Sequence, residues 1–255
     1  MAFLAAYHTD IGTKKSTNQD ALLLKTAKTP KGEIGLFVVC DGMGGLSHGE
    51  LASATVIRGL SEWFDQELPE LVYNDTLEEL VCLKLEECLK VLNEKILQYG
   101  NNAYIQLGTT VTALLVVYST YYIAQIGDSR AYRIDRKLEQ LTKDQTLVER
   151  ELERGNITEQ EANVHPKRNV LLQCVGASKE IDVVFTSGEI EAGTLYLLCS
   201  DGFHHQLSKE ELYNHFKPGL FSNEQQMKEK IIEVIDLVKS RNEKDNISAL
   251  VTVIQ

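Results

Sequence analysis

Short runs of apolar and β-branched residues alternate along this chain with longer segments in which apolar residues recur at helical spacing. The runs are rich in Val, Ile, Thr and Tyr, which pack well on a pleated, partly buried surface. Only three residues separate the run 109–117 from the run 121–126, which predicts a hairpin and antiparallel pairing of these two strands. The six predicted strands are residues 35–40, 109–117, 121–126, 131–134, 194–199 and 247–254.

Three segments carry an apolar stripe with a helical period, at residues 52–64, 77–96 and 227–238. Such stripes are typical of helix faces that pack on a core rather than of cofactor sites. Helices therefore flank a series of mostly antiparallel strands. This order predicts an α/β (layered α+β) fold in a single domain that spans residues 1–255.

Sequence signals also mark where two helices begin. Thr76 with Glu79, and Ser208 with Glu211, have the spacing of a capping box, in which each side chain bonds the other residue's backbone amide. Gly100 can end the helix that Thr76 begins.

Composition and charge narrow the range of functions. Of the 255 residues, 43% are hydrophobic and 25% are charged, which is typical of a globular protein rather than a disordered one. The 26 Lys and Arg residues against 37 Asp and Glu residues give a net charge of −11. This acidity argues against a nucleic-acid partner, which needs a basic face, but it leaves open a site that holds cations.

The chain also lacks signals for secretion or membrane insertion. The N-terminal segment has no basic region before its short apolar stretch, and no run of 18 apolar residues occurs. We therefore expect a cytoplasmic protein with no membrane association. The five scattered cysteines form no Cys-x-x-Cys pair, which favours buried, reduced thiols over disulfides or a zinc site.

Acidic residues recur where the predicted strands end or begin. One Asp-Gly after a strand is an ordinary turn, but five acids at such positions can meet at one edge of the fold. Carboxylates brought together repel each other unless a cation lies between them, and oxygen ligands without His or Cys favour Mg²⁺ or Mn²⁺. The five residues are Asp20, Asp41, Asp128, Asp201 and Asp245.

Glycine beside one of these acids supports the same interpretation. Gly42 lets the backbone approach an ion closely and offer its carbonyl oxygen. Two such ions can activate a water and polarise a phosphoryl group. Templates for a nucleotide-binding P-loop, a His-Glu-x-x-His zinc site and a Gly-x-Ser-x-Gly nucleophile elbow are missing from the sequence.

Six short segments, in order, resemble those of the PP2C-type (PPM) metal-dependent Ser/Thr protein phosphatases in their compact bacterial form. They are TDIGTKKSTNQD, VVCDGMGG, GTT, IGDSRAYRI, LLCSDGF and DNISALV, and together they span nearly the whole chain. The resemblance implies a central β-sandwich of two antiparallel sheets flanked by helix pairs, with metals in a cleft at one edge. It also implies hydrolysis of phosphoserine and phosphothreonine by a metal-activated water, with no covalent phosphoenzyme.

The resemblance assigns roles to the acids. Asp41 would bridge two Mn²⁺ or Mg²⁺ ions, the Gly42 carbonyl would bind one of them, and Asp201 and Asp245 would complete the shell of the other.

Two further acids have less direct roles in the family. Asp20 would act in catalysis mostly through metal-bound water. Asp128, with Asp201 shared, would contribute to a third and weaker metal site.

Three positions depart from, or vary within, the family pattern. Lys15 stands where the family usually has the Arg that grips the substrate phosphate, and it loses the planar two-pronged hydrogen bond, so we expect weaker phosphate binding. The alternative is that Lys15, like Lys14, is a solvated surface residue. Gln19 replaces the usual Glu, which predicts weaker metal binding. Met43 occupies a position where some members have a proposed acid His and bacterial members commonly have Met.

Basic and histidine residues near the motifs are more ambiguous. The segment 141–175 resembles the mobile flap of the family, and its Lys167 and Arg168 either attract a phosphoprotein or are solvated loop charges. His204 and His205 follow the Ser-Asp-Gly-Phe motif, and we expect a surface or supporting role for them rather than metal ligation.

The leading hypothesis is an active phosphatase, monomeric, acting on proteins phosphorylated by a Ser/Thr kinase. An alternative, motivated by Lys15 and Gln19, is a weakly active or inactive pseudophosphatase that binds phosphoproteins and regulates them. Action on a small phosphometabolite is a third hypothesis that the sequence does not separate from the first.

Overall fold

The computed structural model describes residues 2–43, 48–74 and 76–255, apart from the side chain of Asn163. Gly44 and Gly45 of the predicted Asp-Gly motif lie outside the described residues. Ten strands lie in the described part of the chain: β1 Phe3–Asp10, β2 Ala21–Thr29, β3 Gly32–Cys40, β4 Val111–Val117, β5 Thr120–Ile126, β6 Arg130–Ile134, β7 Leu138–Gln140, β8 Val184–Glu189, β9 Leu195–Cys199 and β10 Ile247–Ile254.

Eight helices accompany them in the same described ranges. They are α1 Gly49–Gln66, α2 Leu68–Leu71, α3 Leu77–Ala103, α4 Leu147–Glu153, α5 Glu159–Val164, α6 Asp201–His204, α7 Lys209–Phe216 and α8 Glu224–Ser240.

The described strands form two antiparallel sheets of five strands each, in the orders β1-β10-β9-β6-β7 and β2-β3-β4-β5-β8. The sheets pack face to face, with Phe37 and Leu114 of one in the same apolar layer as Tyr196 and Leu250 of the other. The sandwich of antiparallel sheets implied by the resemblance is therefore confirmed.

Strand alternation distributes the core among three layers. In β3, Phe37 points into the layer between the sheets, whereas Leu36 and Val38 belong to an outer cluster with helices α1 and α3. An equivalent cluster packs α7 and α8 against the first sheet, through residues such as Phe216 and Ile231. Both sheets are thus covered by helices on their outer faces, which gives the predicted layered arrangement.

The six predicted strands are all present, although 109–117 begins at Val111 rather than Thr109. Four described strands were not predicted: β1, β2, β7 and β8. All four are the outermost strands of their sheets. Residues of β2 and β8 are mostly half-exposed or exposed, so their sequences lack the apolar continuity of the central strands.

The helix-end predictions have mixed outcomes. Ser208 and Glu211 form both bonds of a capping box at the start of α7. The capping box predicted at Thr76 is wrong, because its side chain makes no cap hydrogen bond and bonds Asn74 instead. Gly100 does not end α3, which continues to Ala103 and stops at Tyr104 in a left-handed conformation with φ of 55°.

The five cysteines are free thiols in the described structure; Cys40, Cys174 and Cys199 are buried as the sequence predicts, whereas Cys82 and Cys88 are half-buried. Among the described helices, none combines the length and apolar character needed to span a bilayer.

The two capping-box positions provide a matched stability test. We expect Ser208→Ala to lower the free energy of unfolding by about 1 kcal/mol, because an amide at the start of α7 loses its acceptor. Thr76→Ala should change it by less than about 0.5 kcal/mol, because that hydroxyl caps no amide of α3. Urea unfolding of both variants checks this, and equal losses would contradict the assignment.

Candidate active site

Strands from both sheets end at one edge of the sandwich, and acidic residues lie at these ends. Asp41 follows β3 and Asp128 follows β5 in the second sheet, whereas Asp201 follows β9 and Asp245 precedes β10 in the first. All four line one pocket, together with Lys15, Met43, Thr110, Asn169 and Leu171. The structure therefore brings together the acids that the sequence singles out, apart from Asp20.

Backbone hydrogen bonds fix the loop that carries Asp41. The Asp41 amide donates to Thr110 Oγ1 at 3.0 Å, and the Thr110 amide donates back to the Asp41 carbonyl at 2.9 Å. Thr109 Oγ1 donates to the same carbonyl at 2.9 Å. The Gly-Thr-Thr motif thus holds the end of β3 against the start of β4.

Gly42 has no room for a side chain. A Cβ there would lie 2.6 Å from the carbonyl oxygen of Gly49 and even closer to that of Gln19. The Gly42 amide donates to the Gln19 carbonyl at 3.2 Å. Close packing of three backbone segments requires glycine at this position, whereas the approach of its carbonyl to an ion stays a prediction.

Asp20 does not line the pocket; it is half-buried beside Ser200, with its Oδ1 atom fully buried. Its Oδ2 accepts from Ser200 Oγ at 3.0 Å, and its Oδ1 has no hydrogen-bond partner in the described structure. Burial raises the pKa of Asp20 to about 7, against the lowering effect of the Ser248 and Ser200 hydroxyls. The charges of Asp201 and Asp245 raise the pKa further.

The neighbouring acids are perturbed in the same direction. Burial raises the pKa of Asp41 well above its usual value, and nearby carboxylates add to the shift. Burial, followed by the charge of Asp201, has the same effect on the pKa of Asp128. Burial also raises the pKa of Asp201, although His205 opposes the shift. Because burial and the repulsion between carboxylates both disfavour the charged form, a cation that enters the cluster stabilises it.

Lys15 is the only cation among the described residues that line this pocket. Its Nζ lies 2.7 Å from Asp245 Oδ1. Burial lowers its pKa, but the hydrogen bond and charge of Asp245 outweigh burial and leave the Lys15 pKa raised. The sequence alternative of a fully solvated Lys15 is therefore wrong.

The donor set suits a hard divalent cation. Oδ1 of Asp20 and Oδ1 of Asp201 are buried and unpartnered within the described residues, so each has free capacity to accept. Among residues 2–43, 48–74 and 76–255, no three His, Cys, Asp or Glu side chains are already arranged as a metal shell. Asp41, Asp201 and Asp245 are the residues of the pocket that could hold ions, and Lys15 alone leaves their combined charge unbalanced.

Lys167 and Arg168, the two basic residues predicted to bind substrate from segment 141–175, differ in their position relative to the acidic pocket. Arg168 lines a pocket adjoining the first, together with Asp201 and Asp245. Lys167 is exposed and lines neither pocket. Their roles in substrate binding stay predictions.

Three further residues sit beside the acids. Gln19 Nε2 donates to Glu50 Oε2 at 3.1 Å, so its amide lowers the pKa of Glu50. The surface alternative is wrong for His204, which is buried with its Nε2 3.4 Å from the Asp128 carbonyl. His205 Nδ1 lies 3.7 Å from Asp201 Oδ2, where its charge favours the ionised form of the Asp201 carboxylate.

Asn246 is a positioning residue that sequence reasoning missed. Its Oδ1 accepts from the Gln19 amide at 2.9 Å, and its Nδ2 donates to the carbonyls of Ile11 and Thr17 at 2.9 and 3.1 Å. One side chain thus ties the segment that carries Lys15 to the start of β10. Its place directly after Asp245 in the last motif was the available signal.

Comparisons with known proteins agree with this geometry. The family model described as protein phosphatase 2C matches residues 11–236. The chain is 33% identical over 210 residues to the protein phosphatase PhpP of Streptococcus pneumoniae, an alignment that covers 80% of each protein.

Solved structures give the same result at the level of the fold. The serine/threonine phosphatase Stp1 of Staphylococcus aureus superposes with a TM-score of 0.85 at 28% identity, over 100% of this chain and 96% of that one. The catalytic domain of the phosphatase PstP, solved with 2 manganese ions, superposes with a TM-score of 0.78 at 28% identity, over 100% of both chains. Together with the converging acids, these matches show that the chain belongs to the protein phosphatase 2C family.

Proposed function

We propose that this protein is a metal-dependent protein serine/threonine phosphatase. The observation that carries the proposal is the pocket in which Asp41, Asp201 and Asp245, brought from both sheets, face one another beside Lys15. The family match and the similarity to named serine/threonine phosphatases support it.

Each acid has a distinct part in the proposal. Asp41 would hold both ions and the Gly42 carbonyl one of them, whereas Asp201 and Asp245 would complete the shell of the other. Asp128 would serve a third ion together with Asp201. Manganese in the similar PstP domain supports Mn²⁺ or Mg²⁺ as the ion.

When bound, the ions would activate a water and offset the charge of the phosphate. The chain's own residues supply the rest of the site. Lys15 Nζ stands at the pocket wall and can donate to a phosphate oxygen. Asp20, with Oδ1 unpartnered and its pKa near 7, can accept or hold a proton.

The substrates in this proposal are proteins phosphorylated on Ser or Thr by a protein kinase. Lys167 and Arg168 lie on the flap-like segment 141–175, from which they attract negatively charged phosphoproteins toward the pocket. The proposed enzyme acts as a cytoplasmic monomer.

The metal site can be tested with p-nitrophenyl phosphate and Mn²⁺. We expect Asp201→Asn to lower kcat/KM at least about a hundredfold, because a ligand carboxylate is lost, and EDTA to abolish hydrolysis. Asp236→Asn, on the exposed face of α8, is the matched control and should leave the rate unchanged. Hydrolysis that survives both EDTA and Asp201→Asn would disprove the proposal.

Phosphate binding by Lys15 can be tested with a phosphothreonine peptide. Lys15→Met should raise KM about tenfold, because the pocket loses its cation. Lys15→Arg should lower KM about threefold, because guanidinium binds phosphate through two parallel hydrogen bonds. Lys14→Met is the control, and an equal effect at both positions would refute a specific role for Lys15.

The raised pKa of Asp20 predicts a pH effect on the metal-free protein. The folded pKa is about 7 against 3.8 in the unfolded chain, so the unfolded state releases its proton first as pH rises. Stability is therefore lost between about pH 4 and pH 7. In EDTA, we expect the Tm to fall less between about pH 5 and pH 7.5 in Asp20→Asn than in the wild type. Equal falls would contradict the shift.

A further inference from the structure

The chain between β7 and β8 leaves the sandwich and returns to it beside its point of departure. The Leu147 amide donates to the Val170 carbonyl at 2.8 Å, and the Leu172 amide donates to the Gln145 carbonyl at 2.8 Å. Helices α4 and α5 lie between these two contacts. We call residues 143–147 and 170–173 the flap base and residues 148–169 the flap.

Gln145 joins the flap base to the end of β5. Its side-chain Oε1 accepts from the Gly127 backbone amide at 2.8 Å, and the Gln145 backbone amide donates to the Gly127 carbonyl at 3.0 Å. The same Oε1 accepts from Gln173 Nε2 at 2.9 Å. A single side-chain oxygen therefore links three segments: the part of the flap base that precedes the flap (143–147), the part that follows it (170–173), and the end of β5.

Two other glutamines hold the neighbouring segments. The Gln125 amide group donates to the Lys143 carbonyl at 2.8 Å and accepts from the Lys143 amide at 3.0 Å. The Gln173 amide group makes the same pair of bonds with the backbone of Asp182, at 2.7 and 2.8 Å. Because both partners are backbone, these bonds fix chain positions rather than side-chain charges.

This linkage bears directly on the pocket. Gly127 immediately precedes Asp128, which lines the pocket from the sandwich side. Asn169 and Leu171, on the returning flap chain, line the same pocket, and they form what we call its flap wall. The two segments are joined where Gln145 Oε1 accepts from both Gly127 and Gln173. Arg130 donates to Asp144, the residue before Gln145, through hydrogen bonds of 2.8 and 2.6 Å. The flap base therefore bonds the chain on both sides of Asp128, at Gly127 and at Arg130.

We propose that Gln145 is a positioning residue that keeps the flap wall of the pocket in register with Asp128, and thereby sets affinity for phosphoprotein substrates. The proposal rests on the proposed phosphatase function. Gln145 touches no reacting group; its oxygen acts through Gly127 and Gln173.

Two substitutions at Gln145 distinguish the effect of losing the accepting oxygen from the effect of changing the size of the side chain. Gln145→Met keeps the length but removes the acceptor, and we expect KM for a phosphothreonine peptide to rise about tenfold, with kcat changed less than about threefold. Amide exchange across residues 148–169 should accelerate about tenfold in the same variant. Gln145→Glu retains an accepting oxygen but loses the Nε2 donor that bonds the Gln125 carbonyl at 3.4 Å, so it should be impaired at least about threefold less than Gln145→Met in both measurements.

Gln140→Met is the matched control, because Gln140 lies in β7 and its side chain donates to the carbonyl of the nearby Thr142 rather than joining the flap to β5. It should behave as the wild type. If Gln145→Met does not fold, Gln173→Met decides, with an expected KM increase of about threefold and faster flap exchange.

Several results would overturn the proposal: unchanged KM or unchanged flap exchange in the deciding variant, equal impairment of Gln145→Glu and Gln145→Met, or equal impairment of Gln140→Met. Amide exchange needs no substrate. A wild type without phosphatase activity would disprove the proposed function. Amide exchange across residues 148–169 in Gln145→Met and the wild type would still show whether Gln145 holds the flap.

Discussion

Mutual repulsion among buried carboxylates is the constraint on which the active site depends. At one edge of the sandwich Asp128 and Asp201 are buried and Asp20 and Asp41 are half-buried, and desolvation together with neighbouring charge raises the pKa of each. They cannot move apart, because the strands beside them are held in two hydrogen-bonded sheets. The rigid sandwich thus stores an unfavourable charge arrangement that a divalent cation relieves, and that arrangement makes the site selective for cations.

The interior of the fold could be predicted from the sequence, whereas its margins could not. Central strands such as β4 are buried at every position and therefore carry long apolar runs. The four outermost strands are paired on one side only, and β2 and β8 mix Lys, Thr, Ser and Glu with apolar residues. Their strand structure comes from pairing with a neighbour, as Ser187 of β8 does with Tyr122, and such long-range partners are not visible in a local pattern.

A similar division applies to the site. Asp41, Asp128, Asp201 and Asp245 could be found because each stands beside a predicted strand, and all four line one pocket. The amides of Asn246 and Gln145 could not be found in this way. Each acts by bridging backbone segments that are far apart in sequence, so its role exists only once the topology is known. Their residue types are common on protein surfaces and carry no signal alone.

The pairing of β1 with β10 has a consequence for how the enzyme is made. Phe3 is opposite Ile254, so the first strand waits for the last before its backbone bonds can form. The pocket draws on residues from Lys15 to Asp245. A chain without β10 therefore lacks both Asp245 and the partner of β1, so the complete pocket forms only after the first sheet has assembled.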